Sequence, residues 1–122
     1  MNTHDKIEFG DFQTPEDLSD QVCELLVKLG VKPNTIIEPT CGIGNFLFSA
    51  IKKFPNVKAV LGNEINIEYI KRLEKHSLFN KNLIDIKNKD FFQLKWTEIL
   101  NKTIEPIIFI GNPPWVTNSK LG

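Results

Sequence analysis

Thr35-Ile36-Ile37-Glu38-Pro39-Thr40-Cys41-Gly42-Ile43-Gly44 is the stretch on which the fold turns. Three β-branched residues in a row read as a buried strand, and the proline and two glycines behind them read as a tight loop at its end. Glycine at 42 and 44 lets the backbone turn sharply and come close to a ligand, because a side chain at either place would occupy the ligand's space. Asn45 to Lys53 then reads as a helix ended by Pro55-Asn56, so the stretch is the centre of a strand, loop, helix unit.

Upstream, Thr14 reads as an N-cap, Pro15 as the first helical position and Asp17 as a capping acid. Leu18, Val22, Leu25, Leu26 and Leu29 recur on one helical face, and Gly30 closes the helix. Downstream, Ala59-Val60-Leu61 is a second strand ending at Gly62-Asn63-Glu64, and Ile67 to about His76 is a second crossover helix. Leu83 to Ile86 is a third strand, followed by Asp90-Phe91-Phe92, and a short helix spans Trp96 to Leu100. Ile107 to Ile110 is a fourth, wholly apolar strand, the type that sits in the middle of a sheet covered on both faces. Alternating strands and helices imply a parallel sheet, and right-handed crossovers give the order 3-2-1-4. A ligand then binds over the carboxyl ends of strands one and four, at the topological switch point.

The composition narrows the function. The chain has 122 residues with 41% hydrophobic residues, enough for one domain with a modest core. No apolar run approaches a membrane span, and Met1 to Glu8 lacks the apolar core of a signal peptide, so an intracellular, cytoplasmic protein is expected. Cys23 and Cys41 stand far apart without a matching His cluster, which indicates neither a disulfide framework nor a zinc site. Fifteen basic and fifteen acidic residues cancel, and Arg72 is the sole arginine. A self-sufficient nucleic-acid binder carries a basic footprint. If DNA is the substrate, most of the grip and the sequence reading must come from elsewhere.

Two clusters carry chemistry. Glu64 stands 20 residues beyond Gly44 at a strand end, the place of a carboxylate that accepts both ribose hydroxyls, while Leu47 replaces the third glycine of a dinucleotide fingerprint. Asp90-Phe91 holds the matching place after strand three, where a carboxylate can take an adenine amino group and a ring can lie on the purine. Alternatively it is a loop aspartate before two core phenylalanines. In Asn112-Pro113-Pro114-Trp115 the two prolines remove two donors and hold the loop extended. Such a loop can aim the Asn112 side-chain oxygen and the Pro113 carbonyl at one target amine, whose lone pair is otherwise delocalised into a ring. Accepting both N–H groups favours a pyramidal, nucleophilic nitrogen and stabilises the charge that grows as methyl arrives. Trp115 offers a flat face on which a flipped base can stack.

Together these residues resemble the amino-methyltransferases of DNA, in the adenine-N6 group whose cofactor motifs precede the catalytic motif. Phe12 to Pro15, Glu38 to Phe46, Gly62 to Ile65, Asp90-Phe91 and Asn112 to Trp115 carry the likeness over nearly the whole chain. The resemblance implies a Rossmann-like α/β fold and S-adenosylmethionine held by Thr14, Glu38, Cys41 (through its backbone), Gly42, Gly44, Glu64, Asp90 and Phe91. It implies a catalytic loop of Asn112, Pro113, Pro114 and Trp115, transferring methyl directly to adenine N6 in restriction-modification fashion, with DNA as partner. Tryptophan stands where tyrosine or phenylalanine is commoner, which keeps stacking and removes a hydroxyl. Such enzymes continue with three further strands and a target-recognition region, so residues 1–122 are expected to be the N-terminal part of a catalytic domain. Alone the chain is expected to be inactive and to self-associate, or meet a partner chain, through the uncovered fourth strand. Methylation of an RNA base or a protein glutamine, and a non-catalytic cofactor-binding subunit, are the other readings. The glutamine enzymes open their glycine motif with aspartate and carry Gly-Thr-Gly, unlike Glu38 to Gly44.

Overall fold

The computed structural model describes residues 14–112. In chain order they form α1 (Glu16–Lys28), β1 (Thr35–Glu38), α2 (Asn45–Lys53), β2 (Ala59–Asn63), α3 (Ile67–Glu74), β3 (Ile84–Lys87), a 3-10 turn (Phe91–Gln93), α4 (Trp96–Asn101) and β4 (Ile107–Phe109). The four strands are parallel in the order β3-β2-β1-β4, as the crossovers require.

Period-two alternation sorts the strand residues onto two faces. Ile36 pairs with Val60 and Ile108, and Val60 with Ile84, so these four share one face. Ile36, Val60 and Ile84 are buried there with Cys23 of α1, Leu47 and Ala50 of α2, and Leu73 of α3. A fully buried aliphatic side chain contributes about 1.5–3 kcal/mol, so this layer supplies most of the stability visible in the described residues. Gly62 brings α2 down onto the carboxyl end of the sheet, since a Cβ there would stand 2.6 Å from Ile86 Cδ1 and 3.2 Å from Leu47 Cδ1. The opposite face carries Ile37, Leu61 and Phe109 and meets Leu94, Trp96 and Ile99 around an open, shallow cleft.

Two expectations need correction. Thr14 is not the N-cap: Pro15 takes that place with φ −57° and ψ 143°, and no side chain caps α1. The Thr14 carbonyl instead accepts a 2.7 Å hydrogen bond from Asn45 Nδ2, which ties the segment before α1 to the start of α2. The buried face of α1 is also turned by about one residue. Ser19, Val22, Cys23 and Leu26 point inward, while Leu18, Leu25 and Leu29 are exposed. Small Ser19 and Cys23 permit close approach to α2, where Ser49 Oγ reaches both Ser19 Oγ and Asp20 Oδ1, and apolar periodicity gives such residues no weight. Among the described residues β4 pairs with β1 alone, at the uncovered edge that the order 3-2-1-4 implies. Ile107 and Ile108 are half-buried and Phe109 is 53% exposed.

Gly30 does close α1, at φ +84°, with Val31 N–H donating to Leu26 and Gly30 N–H to Val27. Gly44 starts α2 at φ +91°, and a Cβ there would lie 2.7 Å from Phe48 Cε2. The Phe48 ring cannot swing clear, because it is buried and stacked on His76 at 3.8 Å. Gly44→Ala should therefore destabilise the chain by about 1–3 kcal/mol from backbone strain, with the ring clash adding to it. The urea unfolding midpoint measures this, and an unchanged midpoint would contradict the geometry.

Candidate functional site

Parallel pairing sends the loops after β1, β2, β3 and β4 out of the same sheet edge, and hydrogen bonds then fasten these loops to one another. Cys41 N–H donates to the Asn63 carbonyl at 2.8 Å, extending the β1–β2 ladder into the glycine loop. Gly44 N–H donates to the Cys41 carbonyl at 2.8 Å and closes the turn. Gly42, at φ +56°, turns its N–H toward Glu64, whose Oε1 accepts at 2.8 Å, while Glu64 Oε2 accepts from Asn66 N–H at 2.8 Å. The Glu64 carboxylate is thus held between the glycine loop and the start of α3, at the strand end where the sequence placed it.

Glu38 ends β1 and is only 3% exposed, and its Oε1 has no hydrogen-bond partner. Burial pushes its carboxyl well above the usual carboxylate range; the Leu47 N–H at the start of α2 opposes this, and the negative charge of Glu64 adds to it. Gly111, at φ +148°, lies against this carboxylate, and a Cβ there would come within 2.9 Å of Glu38 Cγ. From the β4 side, Ile110 N–H donates to the Ile37 carbonyl at 3.0 Å, and the Asn112 carbonyl accepts from Thr40 Oγ1 at 3.0 Å. The loop bearing Asn112 is therefore fixed directly to the glycine loop.

The loop after β3 is held by a residue to which the sequence reading gave no role. Asn63 Nδ2 donates to the carbonyls of Pro39 and Lys89, at 3.1 and 2.9 Å, and Asn63 Oδ1 accepts from Lys89 N–H at 3.2 Å. Asn88 adds donations to the Glu64 and Ile65 carbonyls. An asparagine between a strand glycine and a strand-end acid was the available signal. Asp90 Oδ1 accepts from Phe92 N–H at 2.9 Å and so caps the 3-10 turn. Phe91 is half-buried, with its ring edge-on to Trp96 at 6.5 Å, and Trp96 meets Phe109 at 5.4 Å. Phe92 is 66% exposed, so the two phenylalanines do not form a core pair.

The structure thus brings Thr14, Glu38, Cys41, Gly42, Gly44, Glu64, Asp90, Phe91 and Asn112 to one edge of the sheet. Pro113, Pro114 and Trp115 lie outside the described residues. Cys23 and Cys41 are free and buried, and burial pushes the Cys23 thiol up to about 11 and the Cys41 thiol up as well. Among the described residues no group of His, Cys, Asp and Glu could hold a metal ion, and no helix is long and apolar enough to cross a membrane. Two carboxylates at the mouth of a glycine loop suit a ligand that carries positive charge and hydroxyl groups.

Glu38 makes stability depend on pH in a direction opposite to most carboxylates. Its folded-state pKa is raised, so its contribution is fully present below the unfolded value and is lost as pH rises through the folded value. Glu38→Gln should therefore flatten the fall in stability of the unliganded chain above pH 5. Urea unfolding of parent and variant across pH 4 to 8 measures the difference, and parallel curves would remove the strain from Glu38.

The chain matches no protein-family model. The Type II methyltransferase M.NspV from Nostoc sp. is 48% identical over 118 residues, which are 96% of this chain and 25% of that protein. The Type II methyltransferase M.CvrRI of Paramecium bursaria Chlorella virus XZ-6E is 31% identical over 117 residues, 96% of this chain and 27% of that protein. In fold, the chain is similar to a SAM-bound amino pentose methyltransferase from Micromonospora echinaspora, with TM-score 0.52 and 14% identity, covering 78% of this chain and 37% of that one. In sequence this chain is similar to these Type II methyltransferases, and it spans about a quarter of their length.

Proposed function

We propose that this chain is the cofactor-binding and catalytic-motif part of an S-adenosylmethionine-dependent DNA methyltransferase, acting on adenine N6 within a restriction-modification system. The observation that carries the proposal is the bond between Thr40 and Asn112, which holds Asn112 beside a glycine loop flanked by Glu38 and Glu64, where its side chain would polarise a target amine. S-adenosylmethionine brings a sulfonium, an ammonium and two ribose hydroxyls, the groups that buried carboxylates at this edge can receive. In this reading Glu64 takes the ribose hydroxyls, Glu38 faces the cationic end, Asp90 and Phe91 border the adenine, and the backbone of Cys41 to Gly44 cradles the methionine portion. Thr14, drawn in by Asn45, borders the same loop.

Transfer then proceeds in line. Asn112 and the Pro113 carbonyl would accept the two N–H groups of the target amine; bound S-adenosylmethionine would supply the methyl group and leave as the thioether, and the methylated nitrogen would give up one proton to water. Positioning and charge stabilisation supply the acceleration. Trp115 stacks on the extruded base. The neutral net charge and single arginine leave DNA grip to the remainder of a longer protein, in agreement with relatives about four times this length. The open edge of β4 is then where further strands of that protein pair, and the 122-residue chain alone has no methylation activity.

Two variants test the reading. Glu64→Ala should weaken S-adenosylmethionine binding at least tenfold by calorimetry, since each hydrogen bond to a charged group contributes about 1.5–3 kcal/mol and the Gly42 tether is lost as well. In the complete protein, Asn112→Ala should slow single-turnover adenine methylation roughly a hundredfold with cofactor affinity nearly unchanged. Parental affinity in the first variant, or a parental rate in the second, would overturn the assigned roles.

A further inference from the structure

Thr40 lies between the two gripped ends of a short strap. On one side the Pro39 carbonyl accepts from Asn63 Nδ2 at 3.1 Å; on the other, Cys41 N–H donates to the Asn63 carbonyl at 2.8 Å. One buried residue, Asn63, 4% exposed, thus clamps both neighbours of Thr40 with its side chain and its backbone. The Thr40 hydroxyl reaches the other way, across 72 residues of sequence, to the Asn112 carbonyl at 3.0 Å. Among the described residues the last ladder bond of β4 is made by Ile110, and Gly111 packs on Glu38, so this hydroxyl is a tie on the chain where it leaves the sheet at Asn112.

From this arrangement we infer that Thr40 is a positioning residue: its hydroxyl holds the Asn112 carbonyl so that the Asn112 side chain meets the target amine in the geometry of methyl transfer. The inference rests on the catalytic reading of Asn112 given above and adds the group that aims it. The Thr40 hydroxyl touches neither cofactor nor base in this scheme. Its contribution is made through the Asn112 peptide, and it belongs to the chemical step rather than to cofactor binding, which the Glu64 and glycine-loop contacts govern.

The complete protein is tested in single-turnover methylation of adenine-containing DNA, with S-adenosylmethionine affinity measured alongside. Thr40→Val keeps the branched shape and removes the hydroxyl; it should lower the rate roughly tenfold, the scale of one net hydrogen bond, with cofactor affinity unchanged. Thr40→Ser restores the donor and should recover most of the rate, which a packing role for the methyl group would not allow. In Thr40→Val/Asn112→Ala the rate should equal that of Asn112→Ala alone, because a hydroxyl that acts through Asn112 has nothing left to aim. A parental rate in Thr40→Val, a Thr40→Ser variant as slow as Thr40→Val, or full additivity in the double variant would each overturn the inference. If Asn112→Ala itself keeps the parental rate, the catalytic reading of Asn112 falls, and the positioning role with it.

Discussion

The structure depends on β1 being hydrogen-bonded in parallel on both sides, to β2 and to β4. A strand with two parallel neighbours must leave the sheet at the same edge as both of them, so the loops after β1, β2 and β4 emerge together. Thr35 is fully buried and its hydroxyl both donates to the Ile104 carbonyl and accepts from Ile104 N–H, which anchors the approach to β4 from the far end. With both ends of the β1–β4 pair fixed, Asn112 has little freedom in where it arrives. Helices pack on the two faces, through Cys23, Leu47 and Leu73 on one and Trp96 and Ile99 on the other, and among the described residues none crosses the loop edge.

Electrostatics at that edge oppose the fold. Glu38 is buried with an unpartnered oxygen beside a second carboxylate, Glu64, and desolvation of this kind costs free energy that nothing among the described residues recovers for Glu38 Oε1. Uncompensated polar burial of this sort is common at functional sites, where a ligand completes the set. In the proposed reading the cationic cofactor is that complement. Two buried acids at one edge of a chain of zero net charge suit a cation, whose arrival would favour the ionised form of Glu38.

The face of the sheet opposite the helical core tells a different story. Trp96, Phe91 and Phe109 form a chain of edge-on aromatic contacts across it, but Phe109, Leu100 and Ile104 remain exposed. Among the described residues one short helix, α4, lies on this face, and it does not cover four strands. This is the arrangement expected where a longer protein supplies further helices and strands, as the quarter-length match to the Type II relatives suggests under the proposed function.

Most of the architecture was legible because it depends on local rules. Thr35 to Glu38, Asn45 to Lys53 and Ala59 to Asn63 announce themselves by β-branching, helical spacing and glycine or proline punctuation, and the handedness of crossovers converts that order into β3-β2-β1-β4. The place of Glu64 beside the glycine loop was legible too, since a strand end faces the same edge as that loop. What the sequence could not determine was rotation and tethering. The inward face of α1 follows from the small size of Ser19 and Cys23 against α2, which apolar periodicity cannot weigh. The clamp by Asn63, the reach of Thr40 to Asn112 and the burial of Glu38 under Gly111 join residues 24 to 73 positions apart. Those contacts exist only because parallel pairing brings separate strand ends to one edge; side-chain hydrogen bonds between distant loops leave no periodic trace in the chain that makes them.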